Sequence, residues 1–134
     1  MKVGYALCGS FCTIGKSLEA LMHLKEKNPE WEIVPIISEH VATIDTRFGN
    51  AKDTVSRAEK LCGRDAVKSI VDAEPLGPSE PLDLMIICPC TGNTLAKLAL
   101  GITDTSVTMA AKAHLRCDRP LVIALATNDA MSAN

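Results

Sequence analysis

Aromatic side chains are almost missing from this chain: Tyr5, Phe11, Trp31 and Phe48 are the whole set among 134 residues. A core built here must be aliphatic, and the stacking platforms that single-stranded nucleic acid needs are too few to form a face. Positive charge is not in excess either. The 14 Lys and Arg stand against 16 Asp and Glu, a formal net charge of −2. No basic field exists to gather a polyanion, which argues against nucleic acid as a partner. Long hydrophobic runs are absent too: none approaches the length that spans a bilayer, and Met1-Lys2-Val3 leads into a strand-like run without the plan of a signal peptide. A cytoplasmic protein is expected. There, the six cysteines (Cys8, Cys12, Cys62, Cys88, Cys90 and Cys117) point to thiols, not disulfides. Cys8-x-x-x-Cys12 and Cys88-x-Cys90, fed by apolar strands, match zinc-ribbon spacing poorly, so strand-end packing is the better reading and no metal site is expected.

What is present is a 47% apolar, 22% charged composition, ordinary for one soluble globular domain. Val3 to Cys8 is a continuous apolar run closed by Gly9-Ser10, the pattern of a strand buried on both faces. A helix follows from about Ile14, with Leu18, Leu21, Met22 and Leu24 in helical spacing, and ends before Pro29. Trp31 to Ile37 reads as the second strand, ending at Ser38-Glu39-His40. Val41 to Asn50 has no clear period and reads as a loop with Phe48 as its anchor. Ala51 to Leu61 is a charged helix closed by Gly63, Ala66 to Val71 a further helical turn or two, and Glu74 to Pro81 a stiff connection. Leu84 to Cys88 is the third strand, which Pro89 should stop. Thr91 and Asn93 can cap a helix from Thr94 to Leu100, closed by Gly101. Asp104 and Thr105 can cap another from Ser106 to Leu115, where His114 and Arg116 suit the C-terminal dipole. Pro120 to Ala126 reads as a fourth buried strand. The alternation implies an α/β fold, a doubly wound, Rossmann-like or flavodoxin-like parallel sheet in three α/β/α layers.

In such open sheets ligands collect beyond the carboxyl ends of the strands. Those ends carry Gly9-Ser10, Ser38, Cys90 to Thr94, and Thr127-Asn128. The turns entering the helices expose backbone N–H groups, a site for an anion or a cofactor. The signal is weak taken alone: Gly-x-Gly-x-x-Gly is missing, and Gly15-Lys16-Ser17 has no glycine five positions upstream of Gly15. His40 is the best placed of the three histidines for proton transfer, although a lone histidine is more often a solvated helix-start residue.

This constellation resembles the flavoprotein superfamily of flavin-containing cysteine decarboxylases and flavin prenyltransferases, homo-oligomers of doubly wound domains that bind FMN. There the third strand ends in Pro-Ala/Cys-Ser/Thr-x-Asn-Thr, followed by a helix and Gly-Ile-x-Asp. Here the same places hold Pro89-Cys90-Thr91-Gly92-Asn93-Thr94 and Gly101-Ile102-Thr103-Asp104. The segments Tyr5 to Cys12, Thr46 to Gly49, Ala73 to Pro78, Thr108 to Ala113 and Asn128 to Ala130 are similar to one branch of it, the B subunits of a two-subunit synthase.

The resemblance implies an FMN site made by Gly9, Ser10, Phe11, Cys12, Ser38, Cys90, Thr91, Asn93, Thr94, Thr108 and Thr127. Ser10 and Ser38 would hold the phosphate, and Thr91, Asn93 and Thr94 the ribityl chain and ring edge. Catalytic positions would be His40 and Asn128, although no Pro-x-Met precedes Asn128 as it does in the decarboxylases. The prenyltransferases' arginine is replaced by Met109 and their Arg-Glu by Thr127-Asn128, which disfavours prenyl transfer. The implied activity is that of an oxidoreductase subunit, working with an A subunit that carries NAD(P) to make pyridine-2,6-dicarboxylate from a dihydrodipicolinate-type intermediate during sporulation. Arg47 is the first candidate for a substrate carboxylate, ahead of Lys97 and Lys112. The alternatives are a flavin-dependent decarboxylase of a cysteine-derived substrate and a scaffold subunit that has lost flavin. Residues 1–134 are expected to form a single flavoprotein-type domain without the C-terminal helix and strand of the family.

Overall fold

Alternate side chains of the first strand divide between two cores, and the architecture follows from that division. Tyr5 and Leu7 pack on one side and Ala6 and Cys8 on the other, the period-2 alternation of a strand with both faces covered. The computed structural model describes residues 1–127. In chain order it runs β1 (Lys2–Leu7), α1 (Phe11–Lys27), β2 (Glu32–Ile37), α2 (Glu39–Thr43), α3 (Ala51–Cys62), α4 (Ile70–Ala73), β3 (Leu84–Cys90), α5 (Gly92–Leu100), α6 (Ser106–Leu115) and β4 (Leu121–Leu125). The strands pair in parallel in the order β2-β1-β3-β4. One core joins the sheet to Ile14, Leu18 and Leu21 of α1 and Ala58 of α3. The other joins it to Val107, Ala110 and Ala111 of α6, with Leu95 and Leu98 of α5 packed against it. The sheet lies between these two helix layers, as the alternation implied.

Several boundaries differ from the sequence expectation, each for a local reason. β3 does not stop at Pro89. A ladder asks a proline only for its carbonyl, and Pro89 O accepts the Cys8 N–H at 3.1 Å, across a cis Cys88–Pro89 peptide and a shift of register against β4. α1 begins at Phe11, three residues before the first periodic apolar position. Where Val41 to Asn50 looked aperiodic, α2 occupies Glu39–Thr43, capped by Ser38 Oγ accepting the Val41 N–H at 3.3 Å; five residues are too few to show a period. Ala66 and Val67 are not helical. Val67 bridges the outer edge of β2, its N–H on Pro35 O and its carbonyl accepting Ile37 N–H, both at 2.8 Å.

One expectation near the C-terminal end changes as well. β4 is not fully buried: Val122, Ile123 and Leu125 are 49%, 38% and 38% exposed, at the edge of the sheet as described. His114, in the last turn of α6, has a structural role as expected: it is buried, and its Nε2 donates to Pro120 O at 2.7 Å, tying α6 to the segment that leads into β4.

Candidate functional site

The order β2-β1-β3-β4 puts a topological switch between β1 and β3, because α1 leaves β1 toward one face and α5 leaves β3 toward the other. A crevice opens beyond the carboxyl ends at such a point. A cavity of about 430 Å³ lies there. β1 and its turn contribute Cys8, Gly9 and Phe11; the end of β2 contributes Ser38, Glu39 and His40; α5 and its cap contribute Thr91, Asn93, Thr94 and Lys97; Asp104 and Thr105 come from the turn before α6.

The helix starts around this cavity are not equivalent. Ser38, Thr91 and Thr105 each cap their own helix, accepting the N–H of Val41, Thr94 and Thr108. Ser10 does not: its side chain takes no N–H of α1 and instead accepts from Thr13 Oγ1 at 3.0 Å. Thr13 N–H is taken by Ser10 O. The Phe11 and Cys12 N–H groups, at the positive end of the helix dipole, have no acceptor within the helix. That end of α1 suits an anion brought from outside the chain.

The floor is neutral and hydrogen-bonded. Thr91 Oγ1 donates to Thr94 Oγ1 at 3.0 Å, which donates to Cys8 Sγ at 3.4 Å. Burial pushes the Cys8 thiol up, and burial with the neighbouring Cys8 pushes Cys90 up to about 12. Both remain S–H groups at neutral pH. The wall is charged but internally compensated. Lys97 Nζ meets Asp104 Oδ1 at 2.9 Å, a hydrogen bond that holds the Asp104 carboxyl below its ordinary value. Glu39 accepts the Ser106 N–H at 2.9 and 3.2 Å, placing its charge at the start of α6.

Of the residues singled out from the sequence, Gly9, Phe11, Ser38, His40, Thr91, Asn93 and Thr94 come together in this lining. The others fall elsewhere. Ser10, the N-cap of α1, and Cys12, exposed in the first turn of that helix, adjoin the lining residues Gly9 and Phe11 without being part of the lining. Cys90 is 0% exposed and packs into the core beneath. Thr108 is 1% exposed, its hydroxyl spent in the α6 capping box with Thr105. Thr127 stands beside the start of α5, where a Cβ on Gly92 would come within 2.9 Å of its Oγ1. Arg47 is exposed on the loop between α2 and α3, its guanidinium 4.8 Å above the Phe48 ring. Asn128 lies outside the described residues. Glu39 and Thr105 were not read as lining residues. Glu39 has no local signal, because its partner is 67 positions away. Asp104 was visible as the last residue of Gly-Ile-x-Asp, and Lys97 was weighed only as a substrate cation.

Residues 1–134 match the family model described as Flavoprotein over their whole length. The chain belongs to that family. The dipicolinate synthase B subunit of Bacillus subtilis strain 168 is 43% identical over 133 residues, 99% of this chain and 66% of the relative. The crystal structure of the corresponding dipicolinate synthase B subunit from Bacillus halodurans C superposes with a TM-score of 0.84 at 39% identity, covering 99% of this chain and 67% of that one. The FMN-dependent cysteine decarboxylase SpaF follows at 0.75 and 26%, with coverage of 100% and 73%. The chain thus spans about two thirds of the B subunits it matches. Among the described residues no helix is long and apolar enough to cross a membrane, and no group of three or more His, Cys, Asp or Glu is arranged for a metal ion.

Proposed function

We propose that the chain is the FMN-binding B subunit of a dipicolinate synthase, an oxidoreductase subunit that acts with a nicotinamide-binding A subunit. The carrying observation is the start of α1, left uncapped by Ser10 and opening beside Ser38 at the switch-point cavity. These donors fit a flavin phosphate: two helix N–H groups, hydroxyls at two strand ends, and Gly9, where the backbone can approach a ligand closely. Thr91, Asn93 and Thr94 offer hydroxyl and amide groups to the polyol. Bound there, FMN would supply a two-electron acceptor. Turning a dihydropyridine dicarboxylate into the aromatic product removes two hydrogens from the ring. His40, exposed in the same lining, is the group able to take the one that leaves as a proton. Residues 1–134 act in this reading as a single flavoprotein-type domain that assembles with its own copies.

A stand-alone decarboxylase of a cysteine-derived substrate is the second reading, favoured by the place of His40 beyond β2 in the cavity wall. The two readings separate by experiment. Purified protein is titrated with FMN by fluorescence quenching, and Ser10→Ala combined with Ser38→Ala is expected to weaken uptake roughly tenfold or more. Absence of flavin uptake by the native protein rejects both enzymatic readings and favours the scaffold. Dipicolinate formation dependent on added A subunit supports the synthase. Decarboxylation of a cysteine-terminated peptide without any partner, lost in His40→Asn, would replace it.

A further inference from the structure

On the far side of Phe11 lies a second recess, of about 200 Å³, between α1, the segment after α2, and α3. Phe11 borders both this recess and the cavity. The inner wall is apolar, with Ile14, Leu18 and Val41, while Arg57 and Thr54 of α3 stand at the mouth. Nothing in the proposed flavin site uses it.

Three observations indicate an occupant. Gly15 lies inside α1 with an ordinary helical backbone, and a Cβ built on it meets no heavy atom within 4 Å. A glycine in a helix interior lowers stability relative to alanine. Here neither backbone conformation nor any described neighbour asks for it, yet it borders the recess. That stretch of the recess wall is left open. Second, the Arg57 guanidinium has no ion-pair partner among the described residues, although Asp53 stands one turn earlier on the same wall. Third, the loop that closes the recess is a fixed turn. Thr46 and Gly49 exchange backbone hydrogen bonds of 3.0 and 3.1 Å, and Phe48 N–H donates to Thr46 Oγ1 at 3.2 Å. This turn presents Phe48, 55% exposed, to the recess, with Arg47 stacked on its ring.

We propose that this recess binds a small aromatic carboxylic acid, its ring against the wall of Phe11, Ile14 and Phe48 and its carboxylate at Arg57. Arg57 and Asp53 are the charged residues of the lining, with Arg47 on the rim and Asp45 bonded to the Ala51 N–H beside it, so the recess carries no net charge and the Arg57 guanidinium itself is the group that would meet a carboxylate. The inference deepens the synthase reading and rests on it for the substrate class, since a pyridine dicarboxylate entering here would have Phe11 as the wall shared with the cavity.

The test titrates pyridine-2-carboxylate and pyridine-2,6-dicarboxylate into the native protein, Arg57→Gln and Gly15→Ala, by calorimetry, with FMN uptake measured separately on each. Arg57→Gln is expected to weaken both acids roughly tenfold or more while FMN uptake is unchanged. Gly15→Ala is expected to raise the thermal midpoint by about 3 °C and yet weaken the acids, a combination that a purely structural glycine does not give. The inference is overturned if neither acid binds at millimolar concentration while FMN is taken up, or if both variants hold native affinity within about twofold. Arg57-dependent binding of the acids by a protein that takes up no FMN would retain the recess and remove the flavin reading.

Discussion

Removing the Glu39 carboxylate tests how the wall of the cavity is held. Ser106, the first residue of α6, is 0% exposed. Its N–H is one of the donors that a helix leaves without an internal partner, and the Thr105–Thr108 capping box satisfies others. Glu39 alone answers it, with both carboxylate oxygens, at 2.9 and 3.2 Å. The Ser106 hydroxyl lies 3.0 Å from Glu39 Oε1 and 2.7 Å from Ile37 O, so it keeps a partner if the carboxylate goes. The loss therefore falls on the N–H. A hydrogen bond to a charged group contributes about 1.5–3 kcal/mol net, and a carboxylate at a helix N-terminus adds about 0.3–1 kcal/mol. Glu39→Ala should lower the unfolding free energy by about 2–3 kcal/mol. Glu39→Gln keeps an acceptor oxygen, loses the charge, and should cost about 1 kcal/mol. Urea unfolding followed by circular dichroism measures both, with an unchanged slope showing that the unfolded state is not involved. A loss under about 0.5 kcal/mol for Glu39→Ala, or equal losses for the two variants, would refute the argument.

Asp83 accepts the Lys2 N–H at 2.8 Å and a hydrogen bond from Arg119 at 3.2 Å, and these contacts lower its carboxyl from the ordinary 3.8. Its stabilisation is whole above the unfolded value and is lost as the pH falls through the folded one, so Asp83→Asn should flatten the acid limb of stability below pH 3.8; parallel acid limbs for the two proteins contradict this. Among the cysteines, Cys12 is exposed whereas Cys8 and Cys90 are 1% and 0% exposed. Thiol labelling of the native protein should modify Cys12 first and reach Cys8 and Cys90 only on unfolding, and Cys90 reacting at the rate of Cys12 is the outcome that fails.

What could be read from the sequence was what the chain encodes locally. Continuous apolar runs marked the strands because both faces of this sheet are covered, and Gly63, Thr91, Gly101 and Thr105 marked helix ends because caps act within a few residues. The misreadings share an origin in partners far along the chain. Pro89 continues a strand because Cys8 offers it a donor, 81 positions away in sequence. Val67 is extended because the outer edge of β2 needs hydrogen bonds, and no period in Ala66 to Val71 announces that. Glu39 was given no role between Ser38 and His40, and only the fold brings Ser106 to it.

The scarcity of aromatics takes on a different meaning in three dimensions. It pointed to an aliphatic core, and the core is aliphatic apart from Tyr5, whose hydroxyl donates to Ser17 O at 2.8 Å. Trp31 packs only partly against that core. Phe11 also packs partly against that core, but it stands between the cavity and the recess and borders both, and Phe48 is 55% exposed on the rim of the recess. A chain with four aromatics thus places two of them at adjoining concave surfaces, and only one of those two also packs against the interior. Large, rigid side chains lose little entropy when they meet a planar ligand, and exposing Phe48 on a fixed turn carries a hydration cost that the fold itself does not recover. The same logic holds for Gly15, which gives up helix stability on the wall those rings share. Both departures from an optimal fold border the recess that Phe11 separates from the cavity, where the two concave surfaces meet.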